Sequence, residues 1–339
     1  MKVVVDTFGA DKGVDVLVKG SIDALSVRND FSIVLTGDEE TIKSALSHFD
    51  YDKNRVDIVH TTEIISNDES PTIAIKTKKD SSLVRALEIT KADSDVVGMV
   101  SAGSTGAVLA GGIFKIGRIK GVLRPALCPL MPTATGGRVC VVDCGANMDC
   151  KSEYLVQFAI MGSEYMKTVM GIERPRVALV SVGVEDKKGN ELNHDVFNKL
   201  KNIPSINFVG NMEARYALSG DYDVLVADGF VGNVLIKTVE GTAKLVTSML
   251  KKEITSSTSA KIGALFMKKA LKNLKSNMNY QAFGGAVFIG VEKTLVKAHG
   301  SSDAEAITAS INTVLRSAQY SLSDNIRLAL ATAQGESVE

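Results

Sequence analysis

The chain has 339 residues, with 39 Lys plus Arg against 39 Asp plus Glu, so its formal net charge is zero. That balance gives no case for nucleic acid as a partner, and a 5% aromatic content without Trp excludes an aromatic platform for stacked bases. A hydrophobic fraction of 45% over this length is enough for one large α/β domain or two coupled subdomains.

The apolar run at residues 3–6 predicts a strand, followed by a glycine turn and a helix to about Val27. Residues 31–35 predict a strand ending at Thr36-Gly37-Asp38, then a helix, then a strand at 56–59. Two helical stretches fill 72–92, where Lys76 to Lys79 is a solvated face. Residues 96–101 predict a strand and 105–116 a helix. The uncharged segment 96–114 has the length of a membrane span. Its five glycines, with Ser101, Ser104 and Thr105 at the middle, instead favour a strand, a turn and a helix. Further strands are expected at 139–143, 177–182, 206–209 and 224–227, each followed by a helical pattern. A late strand is expected at 286–289, and a helical region capped near Ser302-Asp303-Ala304-Glu305 closes the chain. This alternation predicts an α/β fold with a mainly parallel sheet covered on both faces. The expected organisation is a single α/β catalytic domain over 1–339 with a protruding amphipathic segment near 254–278.

Polar clusters follow the predicted strands, where open α/β sheets bind ligands. The first loop, Ser101-Ala102-Gly103-Ser104-Thr105-Gly106, opens a helix with glycines and hydroxyls suited to an anion. It lacks the G-K-[ST] ending of a Walker A loop and is not G-x-G-x-x-G. The second packs Asp143, Gly145, Asn147 and Lys151 into one strand-to-helix turn. Lys151 near a helix start calls for an anionic partner. The third, residues 183–191, places Lys188 and Asn190 over a bound anion or is an ordinary surface loop. In the fourth, Asp228 ends a strand, two glycines frame Phe230, and Asn233 lies in the first turn of a long helix at about 231–251. Buried packing of Phe230 is favoured over presentation at the sheet edge. The fifth, 280–286, is joined by His299-Gly300-Ser301-Ser302, where His299 is a base, a substrate donor or a structural residue.

Residues 261–278 carry five lysines and no acid. On a helical wheel Phe266, Met267, Ala270, Leu271, Leu274 and Met278 share one arc, and Lys261, Lys268, Lys272 and Lys275 the other. This is the pattern of a membrane surface or an acidic partner. Cys128, Cys140, Cys144 and Cys150 form no C-x-x-C pair and the four His are scattered, so small buried hydrophobes in a reducing compartment are expected rather than zinc ligands.

Together these loops resemble the bacterial acyl-ACP:phosphate acyltransferase (PlsX) family. The matching stretches, in the family's order from about residue 96 to 310, are V-S-A-G-S-T-G-A, D-C-G-A-N-M-D-C-K, E-D-K-K-G-N-E, F-V-G-N-M-E-A-R, V-A-D-G-F-V-G-N-V-L-I-K and F-G-G-A-V-F-I-G-V with A-H-G-S-S. The N-terminal loop departs from the family's D-A-M-G-G-D-x-A-P. Here it reads Asp6-Thr7-Phe8-Gly9-Ala10-Asp11-Lys12-Gly13-Val14, and Ser152 stands where proline is frequent.

The resemblance implies a three-layer αβα fold similar to phosphotransacetylases and isopropylmalate-dehydrogenase-like enzymes. It implies a homodimer that takes acyl-carrier protein thioester and inorganic phosphate to acyl phosphate for phospholipid synthesis. It also implies a cytoplasmic protein in peripheral membrane contact, beside a downstream membrane acyltransferase. No cofactor, metal or nucleic acid is expected.

Phosphate is then the nucleophile. Ser104, Thr105 and the Gly103 and Gly106 backbones are assigned to it, with Lys188 supplying charge. Asn233 and Asn147 are assigned as oxyanion or phosphate donors. Asp228 orients Lys188 or accepts a proton, and His299 is a second candidate for that task. Ser101, Asp143, Lys151, Asn190 and Phe230 complete the expected substrate contacts. Lys261, Phe266, Lys268, Lys272 and Leu274 form the expected membrane or carrier surface. Rival readings are a phosphate acetyl- or butyryltransferase using coenzyme A esters, a nicotinamide dehydrogenase, and a non-catalytic membrane scaffold or lipid sensor.

Overall fold

The structure is a computed structural model that describes residues 1–277 and 284–334. Its strands are β1 (Lys2–Asp6), β2 (Ser32–Gly37), β3 (Val56–His60), β4 (Val96–Ser101), β5 (Ala126–Pro132), β6 (Arg138–Val142), β7 (Arg176–Ser181), β8 (Asn207–Glu213), β9 (Val224–Val226), β10 (Ala286–Ile289) and β11 (Thr294–Lys297). The helices are α1 (Val14–Val27), α2 (Glu39–Leu46), α3 (Pro71–Thr77), α4 (Ser82–Ala92), α5 (Thr105–Gly111), α6 (Ser152–Thr168), α7 (Glu191–Lys201), α8 (Gly229–Ser256), α9 (Thr258–Phe266), α10 (Lys268–Asn277), α11 (Ala304–Gln319) and α12 (Leu322–Ala333).

The strands join in one sheet of order β3-β2-β1-β4-β11-β10-β5-β6-β9-β7-β8. Strands β3, β2, β1, β4 and β11 run parallel, and so do β6, β9, β7 and β8. Between these halves β10 is antiparallel to β11 and to β5, and β5 is antiparallel to β6. Three reversals in succession mean that the two parallel halves point in opposite directions.

Burial explains why the strands read as continuous apolar runs. In β1, Val3 and Val5 enter one core while Val4 enters another. In β6, Cys140 and Val142 face the first core while Val139 and Val141 face a third. Both faces are therefore covered, as three-layer packing requires. The first core takes Leu17 of α1, Phe158 and Tyr165 of α6 and Ile311 of α11. The second takes Leu87 of α4 and Val108 of α5, and the third takes Leu235 and Ile236 of α8.

Several predicted bounds shift. Helix α5 gives way to a π-helical turn over Gly112–Ile116. The closing helical region is two helices, and Asp303 caps the first by accepting from Ala306 N at 3.0 Å. Strands β5 and β11 were not expected; β5 carries Pro129 and Pro132, which in sequence argue against a central strand. The basic amphipathic stretch breaks at Met267 into α9 and α10. Met278 and residues 280–283 of the fifth loop lie outside the described residues.

Helix α8 is 28 residues long, roughly 40 Å, yet its buried residues are Gly229, Gly232, Leu235 and Ile236. Its distal part exposes Leu245, Val246 and Met249, and α9 has no buried residue. No helix among the described residues is long and apolar enough to cross a membrane.

One polar clamp ties β7 to β9. The buried Asp223 accepts from Arg176 N at 2.7 Å, Nε at 2.9 Å and Nη2 at 2.9 Å. Loss of hydrogen bonds to a charged group costs about 2 to 3 kcal/mol. Asp223→Ala is expected to lower unfolding stability by that amount, measured by urea denaturation. An unchanged midpoint would show that the clamp adds nothing.

Candidate active site

A cavity of about 370 Å³ lies over the central antiparallel strands, between them and the first turns of α8. Its walls come from four of the five polar loops: Thr105 of the first, Cys144, Gly145 and Met148 of the second, Asn233 beyond the fourth, and Gly285, His299 and Ser302 of the fifth. Apolar side chains of Leu127, Leu130, Met131, Leu218, Ile236 and Val239 make up most of the rest. A mainly apolar hollow with a few convergent polar groups is the usual form of a small-ligand site.

Asp143 organises one wall. It is fully buried, and burial pushes its carboxyl pKa up, opposed by hydrogen bonds to the charged form. Oδ1 accepts from Leu127 N at 2.8 Å, Cys144 N at 2.7 Å and Ala146 N at 3.2 Å. Oδ2 accepts from Asn147 N at 2.6 Å and Nδ2 at 3.1 Å. The second proton of the Asn147 amide goes to Pro125 O at 2.9 Å. Asp143 and Asn147 thus shape the loop, and neither the carboxylate nor the amide protons are left for a substrate.

The fourth loop locks onto the second. Gly229 N donates to Asn147 O at 2.8 Å. A Cβ at Gly232 would stand 1.9 Å from Asp143 O, and one at Gly229 2.6 Å from Asn147 O. The two glycines let α8 approach the second loop; the ring they frame is not packed inside, because Phe230 is 63% exposed. The buried packing expected for Phe230 is therefore corrected. Helix α8 also begins two residues earlier than expected, since Asp228 caps it through Val231 N at 2.8 Å. Asn233 then sits one turn in and lines the cavity, and its side-chain amide has no described hydrogen-bond partner.

The first loop is braced from below. The Ser101 hydroxyl donates to Asp6 Oδ2 at 2.7 Å and accepts from Gly103 N at 3.1 Å, so it supports the turn. Asp6 is buried, which raises its pKa against hydrogen bonds from Ser82, Ser101 and Phe8 N. Ser104 does not use its hydroxyl to cap α5, and Thr105 is exposed at the cavity. Gly106 packs against Pro71, which a Cβ would approach to 2.7 Å. The divergent N-terminal loop adjoins the fifth: Asp11 N donates to Gly300 O at 2.7 Å.

His299 behaves as a donor. Its Nδ1 accepts from Ser301 N at 3.1 Å and lies 2.8 Å from Ser301 Oγ. Burial lowers its pKa, so the neutral ring prevails near pH 7 with its proton on Nε2. With Nδ1 engaged by Ser301, the Nε2–H is the group left to donate, which fits the donor reading among those expected.

Other expected residues lie outside the cavity lining. Lys188 is exposed on the loop after β7, its stem against Gly183, and Asn190 caps α7 by accepting from Asn193 N at 2.9 Å. Lys151 is exposed at the start of α6. Lys261, Phe266, Lys268, Lys272 and Leu274 are all exposed on α9 and α10, away from these walls. Of the basic arc, the side chain of Lys275 lies outside the described residues.

Three lining residues were missed in the sequence. Lys237 and Glu240 of α8 pair at 2.9 Å, and Lys297 ends β11. A salt-bridged i, i+3 pair signals only a helix surface. Lys297 carries no motif at all. The cysteines are free thiols; Cys128, Cys140 and Cys144 are buried and Cys150 half-buried. Burial, then Asp143, pushes the Cys144 pKa well up, while Cys150 is raised to about 12, mainly by burial. Among the described residues no group of three His, Cys, Asp or Glu is placed to hold a metal ion.

Residues 1–323 match the family described as "Fatty acid synthesis protein". A phosphate acyltransferase of Clostridium perfringens is 49% identical over 311 residues, covering 92% of this chain and 91% of that protein. Another, of Clostridium tetani, is 44% identical over 327 residues, covering 96% and 97%. The fold is similar to a phosphotransacetylase from Streptococcus pyogenes, with a TM-score of 0.61 and 16% identity over 94% of each chain. A branched-chain phosphotransacylase from Enterococcus faecalis V583 gives 0.58 and 14% over 94% of this chain and 99% of that one. Sequence motifs, family match and these relatives agree: the chain belongs to the fatty acid synthesis protein family that contains the phosphate acyltransferases (PlsX).

Proposed function

We propose that this protein transfers a fatty acyl group from acyl-carrier protein to inorganic phosphate, releasing acyl phosphate for phospholipid synthesis. The observation that carries the reading is one cavity whose lining combines Thr105, Asn233 and His299 with a majority of apolar side chains. The polar groups suit phosphate and a thioester carbonyl, and the apolar ones suit an aliphatic chain. The names of the relatives support the same reaction.

A phosphate oxygen attacks the thioester carbon, the C–S bond breaks, and the phosphate's proton ends on the carrier thiol. No enzyme nucleophile is needed, so positioning and oxyanion stabilisation are the main contributions. Thr105, with Ser104 and the Gly106 backbone N–H, holds phosphate, while the Gly103 N–H is already taken by the Ser101 hydroxyl. The Asn233 amide and His299 Nε2–H donate to the developing oxyanion. Lys188 is exposed, has no ion-pair partner among the described residues, and is assigned to supply positive charge to the phosphate. Asp228, Asn190, Lys151 and Phe230, which do not line the cavity, are assigned to substrate contacts outside it.

The chain acts as one α/β catalytic unit from which α9 and α10 protrude. Their exposed Ile262, Leu265 and Phe266 sit among exposed Lys261, Lys268, Lys269 and Lys272. That pairing supports peripheral contact with an anionic membrane, near a membrane acyltransferase that consumes the product, and supports docking of an acidic carrier. The exposed apolar residues of distal α8 support a homodimer.

The purified protein is expected to form acyl phosphate from long-chain acyl-carrier protein and phosphate far faster than acetyl phosphate from acetyl-CoA. The reverse preference would indicate a coenzyme A phosphotransacylase, and no acyl phosphate from either would defeat the enzymatic reading. Asn233→Ala and Lys188→Ala should each cut turnover at least about 100-fold, the loss expected from one oxyanion or phosphate contact. Near wild-type turnover in a folded variant would remove that residue from the site. Replacing Phe266 and Leu274 by Asp should release the protein from anionic vesicles while turnover in solution at saturating acyl-carrier protein persists. Unchanged sedimentation with vesicles would refute the membrane contact.

A further inference from the structure

We propose that Lys297 is the cation that anchors the phosphate at the floor of the cavity, an inference that rests on the phosphate-transfer reading above. The residue ends β11 between β4 and β10, in register with Ser101 on one side and Ala286 on the other. This row places it under the first loop, whose Ser104 and Thr105 are the candidate phosphate donors. It lines the same cavity as Thr105, Asn233, His299 and Ser302.

The ammonium is held rather than free. Its Nζ donates to Ala102 O at 3.2 Å and to Ala298 O. An ammonium has three donors, so the described contacts leave one for a ligand. Neither partner is an acid, and no carboxylate lies within salt-bridge distance of Nζ among the described residues. A half-buried cation without an ion-pair partner that lines a cavity is suited to an anionic ligand.

Charged groups from every neighbouring element bear on it. Asp6 of β1 and Asp11 of the following loop favour the ammonium, while Lys237 of α8 opposes it. His299, two residues further along the chain, is neutral near pH 7 and is itself influenced by Lys297. Burial outweighs these influences and lowers the Lys297 pKa to about 8. Because the pKa is lowered, the cation is present below that value and is lost as pH rises through it. The second ionisation of phosphate lies closer to neutrality and is common to wild type and Lys297→Arg, so the comparison of the two separates it from this loss.

The test is the phosphate KM of the wild-type protein between about pH 7 and about pH 9.5, alongside Lys297→Met and Lys297→Arg. The wild-type KM for phosphate should rise through about pH 8 while the acyl-donor KM holds steady. Lys297→Met should raise the phosphate KM about 10- to 100-fold at neutral pH, the ordinary loss of a charge-assisted hydrogen bond. Lys297→Arg should keep phosphate binding and abolish the alkaline rise, since guanidinium stays charged. A wild-type phosphate KM that is flat across pH 8 overturns the proposal, even if neither variant folds. So does a folded Lys297→Met enzyme with an unchanged phosphate KM. Failure of the wild type to form acyl phosphate at all would instead sink the functional reading on which the proposal stands.

Discussion

The site depends on one buried carboxylate. Asp143 is taken out of water at the end of β6, and a lone carboxylate there would be costly. Four backbone N–H groups and one side-chain amide converge on it. The same residue's carbonyl lies against Gly232 of α8. Through these contacts the start of β5, the second loop and the first turn of α8 are fixed relative to one another. The position of Asn233 follows from that junction, because α8 can lie where it does only while residues 229 and 232 lack side chains.

The second constraint is the reversed centre of the sheet. In a uniformly parallel sheet the polar turns would share one edge. Here β10, β5 and the β11–β10 reversal turn one half against the other. Turns from both halves therefore meet over the central strands, and α8 closes the space by crossing them. The third loop follows β7, which is separated from β6 by β9, and Lys188 and Asn190 are not among the residues that line the cavity.

The polar turns were legible in the sequence because each follows a short apolar run and carries glycine with hydroxyl, amide or acid groups. The alternation of strands and helices was legible for the same reason, as was the surface character of residues 261–274. What sequence did not disclose was division of labour. Ser101, Asp143 and Asn147 look identical in type to substrate contacts, and only their saturated hydrogen bonds reveal them as supports. Lys297 was invisible because its character comes from alignment between β4 and β10, residues about 200 and 10 positions away, and from the loss of water around it. Strand β5 was hidden by its prolines, and the break at Met267 by an unbroken apolar and basic periodicity.

The cysteine in the cavity wall has a chemical consequence. Cys144 sits beside a space that would hold an activated fatty ester, and a sulfur anion there would capture the acyl group for itself. Burial and the adjacent Asp143 keep that sulfur protonated, and a protonated thiol is a poor nucleophile. The wall can thus be lined with sulfur and still be inert to self-acylation, leaving orthophosphate as the acceptor.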